Sequence, residues 1–325
     1  MTPKNIAIIG AGNLGSRHLQ ALALTEIPLA IQVVDPSKDS LDIAKKRWEE
    51  MKENPLVKSL SFHESISDLN PDLDVVIVAT SSKPRCTIVK QLLAKCRVSY
   101  MILEKVLFPQ LSDYDEVQRL IADKNIKVWV NCGRRNTSFY KKMHDLFKSE
   151  KNITMNVSGD NWGLGCNTIH YLDTYAFITD QKIFTFDTEN LDKNCISSKR
   201  GGDIEFTGSL RFKSPKGELM LTSYNQELAP SIITIQSENL FALINETEKF
   251  ANVLTRHGWQ WKKFDIELKY QSQVTQNLVK ELILTGECGL PTYEESSALH
   301  KVMLSGFLYH YNRFCEEGAF LCPIT

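Results

Sequence analysis

Ile6-Ala7-Ile8-Ile9-Gly10-Ala11-Gly12-Asn13-Leu14-Gly15 decides the fold of this chain. An apolar run meets three glycines spaced G-x-G-x-x-G, and Ser16 to Leu24 then reads as a helix. A strand turning sharply into a helix needs Gly10 for the turn. Gly12 leaves room for a pyrophosphate to approach the backbone, and Gly15 lets helix and strand pack closely. The loop residues Asn13 and Leu14 open the helix, whose free N–H groups and partial positive charge suit phosphates. Glycine triplets also occur in ordinary turns. The place of this one, after a strand and before a helix, marks it as a dinucleotide-binding turn.

A second apolar run, Ile31-Gln32-Val33-Val34, ends at Asp35, twenty positions after Gly15. A carboxylate at that strand end can accept both hydroxyls of an adenosine ribose and repels a 2′-phosphate, so the expected cofactor is NAD rather than NADP. No arginine follows at once; Pro36 and Ser37 do. An isolated aspartate here would only cap the helix starting near Ser37, but the glycine turn favours the cofactor role.

The remaining composition bounds the function. The chain has 325 residues, room for two domains with separate cores. Its 42% hydrophobic and 24% charged content is that of a soluble globular protein. With net charge −1 and pI about 6.7, no nucleic-acid or anionic-membrane partner is expected. No apolar stretch reaches the ~20 residues that span a bilayer. Met1-Thr2-Pro3-Lys4 leads straight into a strand without a signal-peptide pattern. The eight cysteines, Cys86, Cys96, Cys132, Cys166, Cys195, Cys288, Cys315 and Cys322, form neither C-x-x-C pairs nor clusters with histidine. The expectation is a reduced, cytoplasmic protein with no metal site.

Strands and helices alternate through the first part. Helices are expected over 40–52, 84–95 and 112–124, with Ser112 as an N-cap. Strands are expected over 60–62, 74–79, 98–103 and 128–130. This is the pattern of a doubly wound parallel sheet, a Rossmann domain over residues 1–130. After about residue 150 the character changes. Strands over 204–212 and 218–224 join through Ser214-Pro215-Lys216-Gly217, strands follow over 231–236 and 240–244, and helices over 264–286 and 293–314. Residues 131–325 therefore read as an α+β substrate-binding domain with a large, mostly antiparallel sheet.

In a doubly wound sheet, ligands bind beyond the carboxyl ends of the strands. Gly10, Asp35, Thr80-Ser81-Ser82 and Glu104-Lys105 all fall at such ends. A lone Glu-Lys pair is usually an exposed ion pair of small energetic weight, but a lysine at this edge projects towards the cofactor. A second candidate runs from Trp162 to Asp173. Its glycines give way to a helix with Cys166, His170 and Asp173 on one side at spacings of four and three. His170 there is either a general base or a buried histidine held by Asp173.

These residues resemble the glucose–fructose oxidoreductase and inositol dehydrogenase family of NAD(P)-dependent oxidoreductases. The matching pieces are Gly10 to His18, Ala79-Thr80, Glu104-Lys105, Arg135, Ile169-His170-Tyr171-Leu172-Asp173, and Leu290-Pro291-Thr292 before the final helix. The resemblance implies a Rossmann domain and a C-terminal sheet that builds a homo-oligomer, a dimer or tetramer. It implies Lys105 beside the nicotinamide and the reacting hydroxyl, Glu104 near the nicotinamide ribose, and Ser81 in the cofactor turn. His170 would remove the hydroxyl proton as hydride leaves the same carbon, while Lys105 stabilises the developing alkoxide. Arg135, Trp162, Cys166, Asn167 and Asp173 are the candidate substrate contacts.

Four positions depart from the family pattern. Val106 follows Lys105 where proline is usual, and Cys166 with Asn167 replaces an aspartate four positions before the histidine. Ser81-Ser82 replaces a proline-containing turn, and Arg85 stands where histidine is frequent. The expected activity is hydride transfer between NAD and a hydroxyl or keto carbon of a sugar, cyclitol or nucleotide-linked sugar. The alternative is a catalytically silent NAD-binding sensor or interaction protein of the same fold.

Overall fold

The computed structural model describes residues 2–199, 201–226, 229–256, 258 and 260–325; Met1 lies outside them. The chain forms two compact units. The first comprises residues 1–108, 112–131 and 269–293, and the second 109–111, 132–268 and 294–325.

In the first unit the strands are β1 (Lys4–Ile9), β2 (Leu29–Val34), β3 (Val57–His63), β4 (Asp72–Val78), β5 (Arg97–Leu103) and β6 (Lys127–Val130). They pair in the order β3-β2-β1-β4-β5-β6, all parallel. The helices α1 (Asn13–Leu22), α2 (Lys38–Glu49), α3 (Ser82–Lys95) and α4 (Leu111–Asp123) alternate with them. The strand order reverses beside β1, and that switch point is where such sheets take ligands. β1 and β4 are buried on both faces, which is why they read as unbroken Val, Ile and Ala runs.

The sequence places residues 269–293 with the second domain, whereas in the structure they belong to the first unit. Phe264 to Lys269 is not helical; the helix is α7, Thr275–Thr285. Its residues Leu278, Val279 and Leu282, with Leu290, join the cluster of Ile6, Leu19, Ile31 and Val75. An amphipathic helix takes whichever apolar surface lacks cover, and sequence distance does not enter that choice.

The second unit is built on an eight-stranded sheet ordered β16-β15-β14-β13-β7-β12-β11-β8. Its strands are β7 (Ile153–Asp160), β8 (Thr185–Leu191), β11 (Gly208–Ser214), β12 (Gly217–Tyr224), β13 (Ile232–Gln236), β14 (Leu240–Asn245), β15 (Phe250–Thr255) and β16 (Trp261–Asp265). Only β7 and β12 are parallel to each other. The short strands β9 (Ile196–Ser197) and β10 (Ile204–Glu205) form a separate ribbon, so the strand expected over 204–212 is two pieces. The helices are α5 (Ser138–Phe147), α6 (Leu164–Thr179) and α8 (Tyr293–Phe314). Residues alternate along the strands: Val157, Leu221, Ile235 and Val253 are buried, while their neighbours Asn156, Thr222, Thr234 and Asn252 are half-buried.

Cys195 and Cys315 are joined by a disulfide, and the other six cysteines are free thiols. This corrects the expectation of a fully reduced chain. The fold brings together two cysteines 120 residues apart, a proximity that spacing along the chain does not reveal.

Candidate active site

The glycine turn meets the geometric demands of a dinucleotide. Gly10 has φ +98°, and a Cβ on Gly15 would lie 1.7 Å from the Gly10 carbonyl oxygen, so that contact admits only hydrogen. A Cβ on Gly12 would meet nothing within 4 Å. Gly12 is the N-cap of α1 and gives the helix no side-chain cap. The Thr80 hydroxyl, at the end of β4, is buried without a hydrogen-bond partner among the described residues. An open face at Gly12, an uncapped helix start and an orphaned hydroxyl are the features a phosphate-bearing cofactor would satisfy. Ser81 is the exposed N-cap of α3. Asp35 accepts the Ala11 N–H at 2.7 Å and the Ser37 N–H at 2.9 Å. It braces the glycine turn, and the cap of α2 is Ser37.

At the end of β5 a buried polar network surrounds Glu104. His18 Nε2 lies 3.0 Å from Glu104 Oε1, and Asn131 donates to the same oxygen at 2.5 Å. On its other side His18 Nδ1 lies 2.8 Å from the Thr275 hydroxyl, which also accepts from Gln271. Burial would raise the Glu104 pKa, but His18, Asn131 and the nearby Arg85 outweigh it and hold the carboxyl below its usual range. An ionised carboxylate only accepts, so His18 carries its proton on Nε2. Glu104 is thereby locked into the scaffold. Lys105 is half-buried, while residues 101–104 and 106–109 are all buried.

Arg85 fastens this segment from below. Its fully buried guanidinium donates to the carbonyls of Glu104 (2.6 Å), Leu107 (2.9 Å), Val106 and Thr80. One side chain thus ties the end of β4 to both residues flanking Lys105. The Lys105–Val106 peptide is cis.

In the second unit the candidate site is α6. Gly163, with φ +78°, turns the chain into it. Twelve of its sixteen residues are buried, and buried Thr168, Thr174 and Thr179 satisfy their hydroxyls on carbonyls four residues back. Cys166, Asn167 and His170 are half-buried and form one stripe at helical spacing. Asn167 donates to the Trp162 carbonyl at 2.7 Å, and the Trp162 indole N–H donates to the Thr222 carbonyl at 2.7 Å. Trp162 meets Tyr171 edge-on, and Arg134, bidentate on Glu246, lies over the Tyr171 ring.

Arg135 and Asp173 are brought together, and with each other. Arg135 Nε and Nη2 grip the two Asp173 oxygens at 2.9 and 2.6 Å, with Glu295 at 3.4 Å. Asp173 is fully buried, so it does not share the half-buried stripe with Cys166 and His170 as the spacing suggested. Both charges are spent on holding α6 to the turn at 133–136.

Among the described residues one cluster has metal-type ligands: Cys86, Asp113 and Glu116, with ligand atoms within 4.8 Å of one another. Burial and the two carboxylates push the Cys86 thiol up to about 12, and Lys90 pairs with Glu116 at 2.5 Å, so the group holds a neutral thiol and a neutralised carboxylate.

Sequence reasoning missed Asn131, Gln271, Thr275 and Glu205, the last a buried residue that accepts the Gly165 and Cys166 N–H groups at the start of α6. Asn131 follows β6, and counting β6 among the ligand-bearing strand ends would have found it. Gln271, Thr275 and Glu205 carry no local signal.

A six-stranded parallel sheet with a glycine-rich turn at its switch point defines a dinucleotide-binding protein of the Rossmann type. Residues 4–132 match the model of an oxidoreductase family with an NAD-binding Rossmann fold. No curated protein sequence matches the chain significantly. Among solved structures, UDP-N-acetylglucosamine 3-dehydrogenase GnnA from Acidithiobacillus ferrooxidans is similar over 94% of this chain and 97% of its own, with TM-score 0.69 and 11% identity. An oxidoreductase from Agrobacterium radiobacter in complex with NAD+, L-tartaric acid and magnesium covers 93% and 94%, with TM-score 0.69 and 15% identity. The super-repressor mutant of Gal80p from Saccharomyces cerevisiae covers 95% and 96%, with TM-score 0.72 and 11% identity. At these identities the likeness is one of fold, and the fold serves a dehydrogenase and a repressor alike. No helix among the described residues is long and apolar enough to cross a membrane.

Proposed function

We propose that this protein is an NAD-dependent dehydrogenase or reductase acting on a CH–OH group of a sugar, cyclitol or sugar derivative. The observation that carries the reading is the end of β5, where Glu104 is locked by His18 and Asn131 and Lys105 is the half-buried residue of the otherwise buried stretch 101–109. Gly10, Gly12, Asn13, Leu14 and Gly15 would hold the cofactor's phosphates, with Thr80, Ser81 and Glu104 along the same sheet edge. Asp35, braced by two backbone amides, favours NAD over NADP because a fixed carboxylate repels a 2′-phosphate. When bound, the nicotinamide supplies the carbon that accepts or returns a hydride. The chain's own residues manage the proton and the charge. His170 takes the proton of the substrate hydroxyl on its imidazole, and the Lys105 ammonium lowers the energy of the oxygen as it becomes anionic.

Lys105→Ala and His170→Ala are each expected to lower turnover by about a hundredfold or more, the usual weight of one acid–base or oxyanion-stabilising group. NAD affinity, measured by fluorescence titration, should change little. Near-normal turnover in both variants would remove these residues from the mechanism. Tight NAD binding with no reduction across a broad sugar and nucleotide-sugar panel would favour a silent sensor, the reading to which the replacement of aspartate by Cys166 lends weight.

A further inference from the structure

Behind Glu104 the buried polar groups close into a ring. Asn131 Nδ2 donates to Glu104 Oε1 at 2.5 Å and to Gln271 Oε1 at 2.8 Å, which uses both amide hydrogens. Gln271 Nε2 donates to the Thr275 hydroxyl at 2.8 Å and faces His18 Nδ1 at 3.3 Å. His18 joins the two ends, with Nδ1 2.8 Å from the Thr275 hydroxyl and Nε2 3.0 Å from Glu104 Oε1. His18, Glu104, Asn131 and Thr275 are all buried, so bulk water does not replace a bond lost here.

The ring has a direction. An ionised carboxylate only accepts, so the Asn131 amide turns its nitrogen to Glu104. Its second N–H then meets Gln271 Oε1, which leaves the Gln271 nitrogen facing Thr275 and His18. An amide nitrogen only donates, so His18 Nδ1 accepts and the imidazole proton sits on Nε2, aimed at Glu104. The opposite sense needs one proton on Glu104 and another on Nδ1. Both bonds to Glu104 fall on Oε1, and Oε2 is the oxygen that the ring leaves to a ligand.

The strand order β2-β1-β4-β5 puts Asp35 on one side of the glycine turn and Glu104 on the other. A dinucleotide with its pyrophosphate at the turn and its adenosine at Asp35 therefore extends its second nucleoside towards Glu104. On that reading of the cofactor site, we infer that Gln271 and Thr275 are positioning residues for the second nucleoside. They act through His18 and Asn131: by closing the ring they hold His18 as a donor and keep Glu104 turned as a fixed acceptor for a hydroxyl of that nucleoside.

Thr275→Val keeps the shape and removes the hydroxyl, and Thr275→Ser puts the hydroxyl back. NAD and ADP are titrated separately into the full-length proteins. Thr275→Val is expected to weaken NAD about tenfold and to leave ADP within about twofold, because ADP ends at the pyrophosphate and never reaches Glu104. Thr275→Ser should return NAD affinity to within about threefold of the natural protein. Gln271→Leu, at a half-buried position, should repeat the NAD-selective loss, and it supplies the answer if Thr275→Val does not fold. A loosened domain would weaken NAD and ADP alike, and that result, or unchanged NAD affinity in both variants, overturns the inference. The second measurement is nitrogen NMR of histidine-labelled protein without cofactor, with the His18 signals identified by their loss in His18→Gln. At mildly alkaline pH His18 should show a protonated Nε2 and a hydrogen-bonded, unprotonated Nδ1, and Thr275→Val should shift Nδ1 while Nε2 keeps its proton. A proton on Nδ1 means that the ring runs the other way and overturns the inference as well. A natural protein that binds no NAD would count against the dehydrogenase reading instead, and the spectrum then decides the ring alone.

Discussion

Gly12 and Gly15 stand three positions apart, and a methyl group would meet opposite fates at each. At Gly15 it would collide with the Gly10 carbonyl, so Gly15→Ala is expected to cost about 3 kcal/mol of stability as turn and helix separate. At Gly12 it would meet only open space, so Gly12→Ala should keep stability within about 1 kcal/mol and weaken NAD binding at least about tenfold. Paired melting curves and NAD titrations separate the two, and a Gly12→Ala protein with unaltered NAD affinity would remove the phosphates from this turn. Arg85 carries a different obligation. Its guanidinium serves four carbonyls, and no lysine can reproduce that planar fork. Arg85→Met should destabilise the protein by about 3 kcal/mol, and Arg85→Lys should retain most of the fold but bind NAD less well. Unchanged melting and affinity in both would show that the segment around Lys105 holds itself.

Among the elements, α6 shows what a sequence reveals about a site and what it withholds. Helical spacing sets Cys166, His170 and Asp173 on one side, and only the burial of Asp173 shows that the half-buried stripe is Cys166, Asn167 and His170. The partner of Asp173 lies outside that reading, because Arg135 approaches from a turn that spacing within the helix cannot place. The same contrast runs through the fold. The parallel sheet was legible because its strands are buried on both faces and punctuated by turn residues. Strands β7, β8, β15 and β16 were not, because half of each lies on a partly exposed face and reads as mixed polar sequence. Glu104-Lys105 could be found at a strand end, whereas Glu205 is meaningful only once β10 lies at the start of α6. Asp173 also sets a pH signature. Burial, against the pull of Arg135, lifts its pKa from 3.8 to about 6. A carboxyl with a raised folded pKa binds its proton more tightly when folded, so its contribution is full below pH 3.8 and is lost as pH rises through about 6. The stability difference between the natural protein and Asp173→Asn should therefore shrink by up to about 3 kcal/mol between pH 4 and pH 7. Denaturant melts across that range test this, and a difference that stays flat would refute it.

At the scale of the whole molecule, the large sheet presents a partly apolar face. Phe241 and Trp261 meet edge-on at 5.9 Å, both flank Leu254 in register, and Trp261 is 54% exposed. We propose that this face pairs with a second copy of the chain, since apolar surface of this kind on a wide sheet is a common seat of association. Light scattering should then give a dimer or tetramer for the natural protein and a smaller species for Leu254→Lys with Trp261→Lys. A natural protein that is monomeric at working concentrations would dismiss the proposal.

The return of residues 269–293 to the first sheet carries a consequence for how the molecule is made. A ribosome delivers the chain in order, and compact units commonly close as they emerge. Here the nucleotide-binding unit cannot close early. Leu278, Val279, Leu282 and Leu290 fill its core, and Gln271 and Thr275 complete the polar chain behind Glu104. A fragment ending at residue 131 would expose that core and leave His18 short of its partners. A nucleotide seated at the glycine turn would therefore meet a complete unit only after the chain has been made as far as residue 293, well beyond the whole of the second sheet.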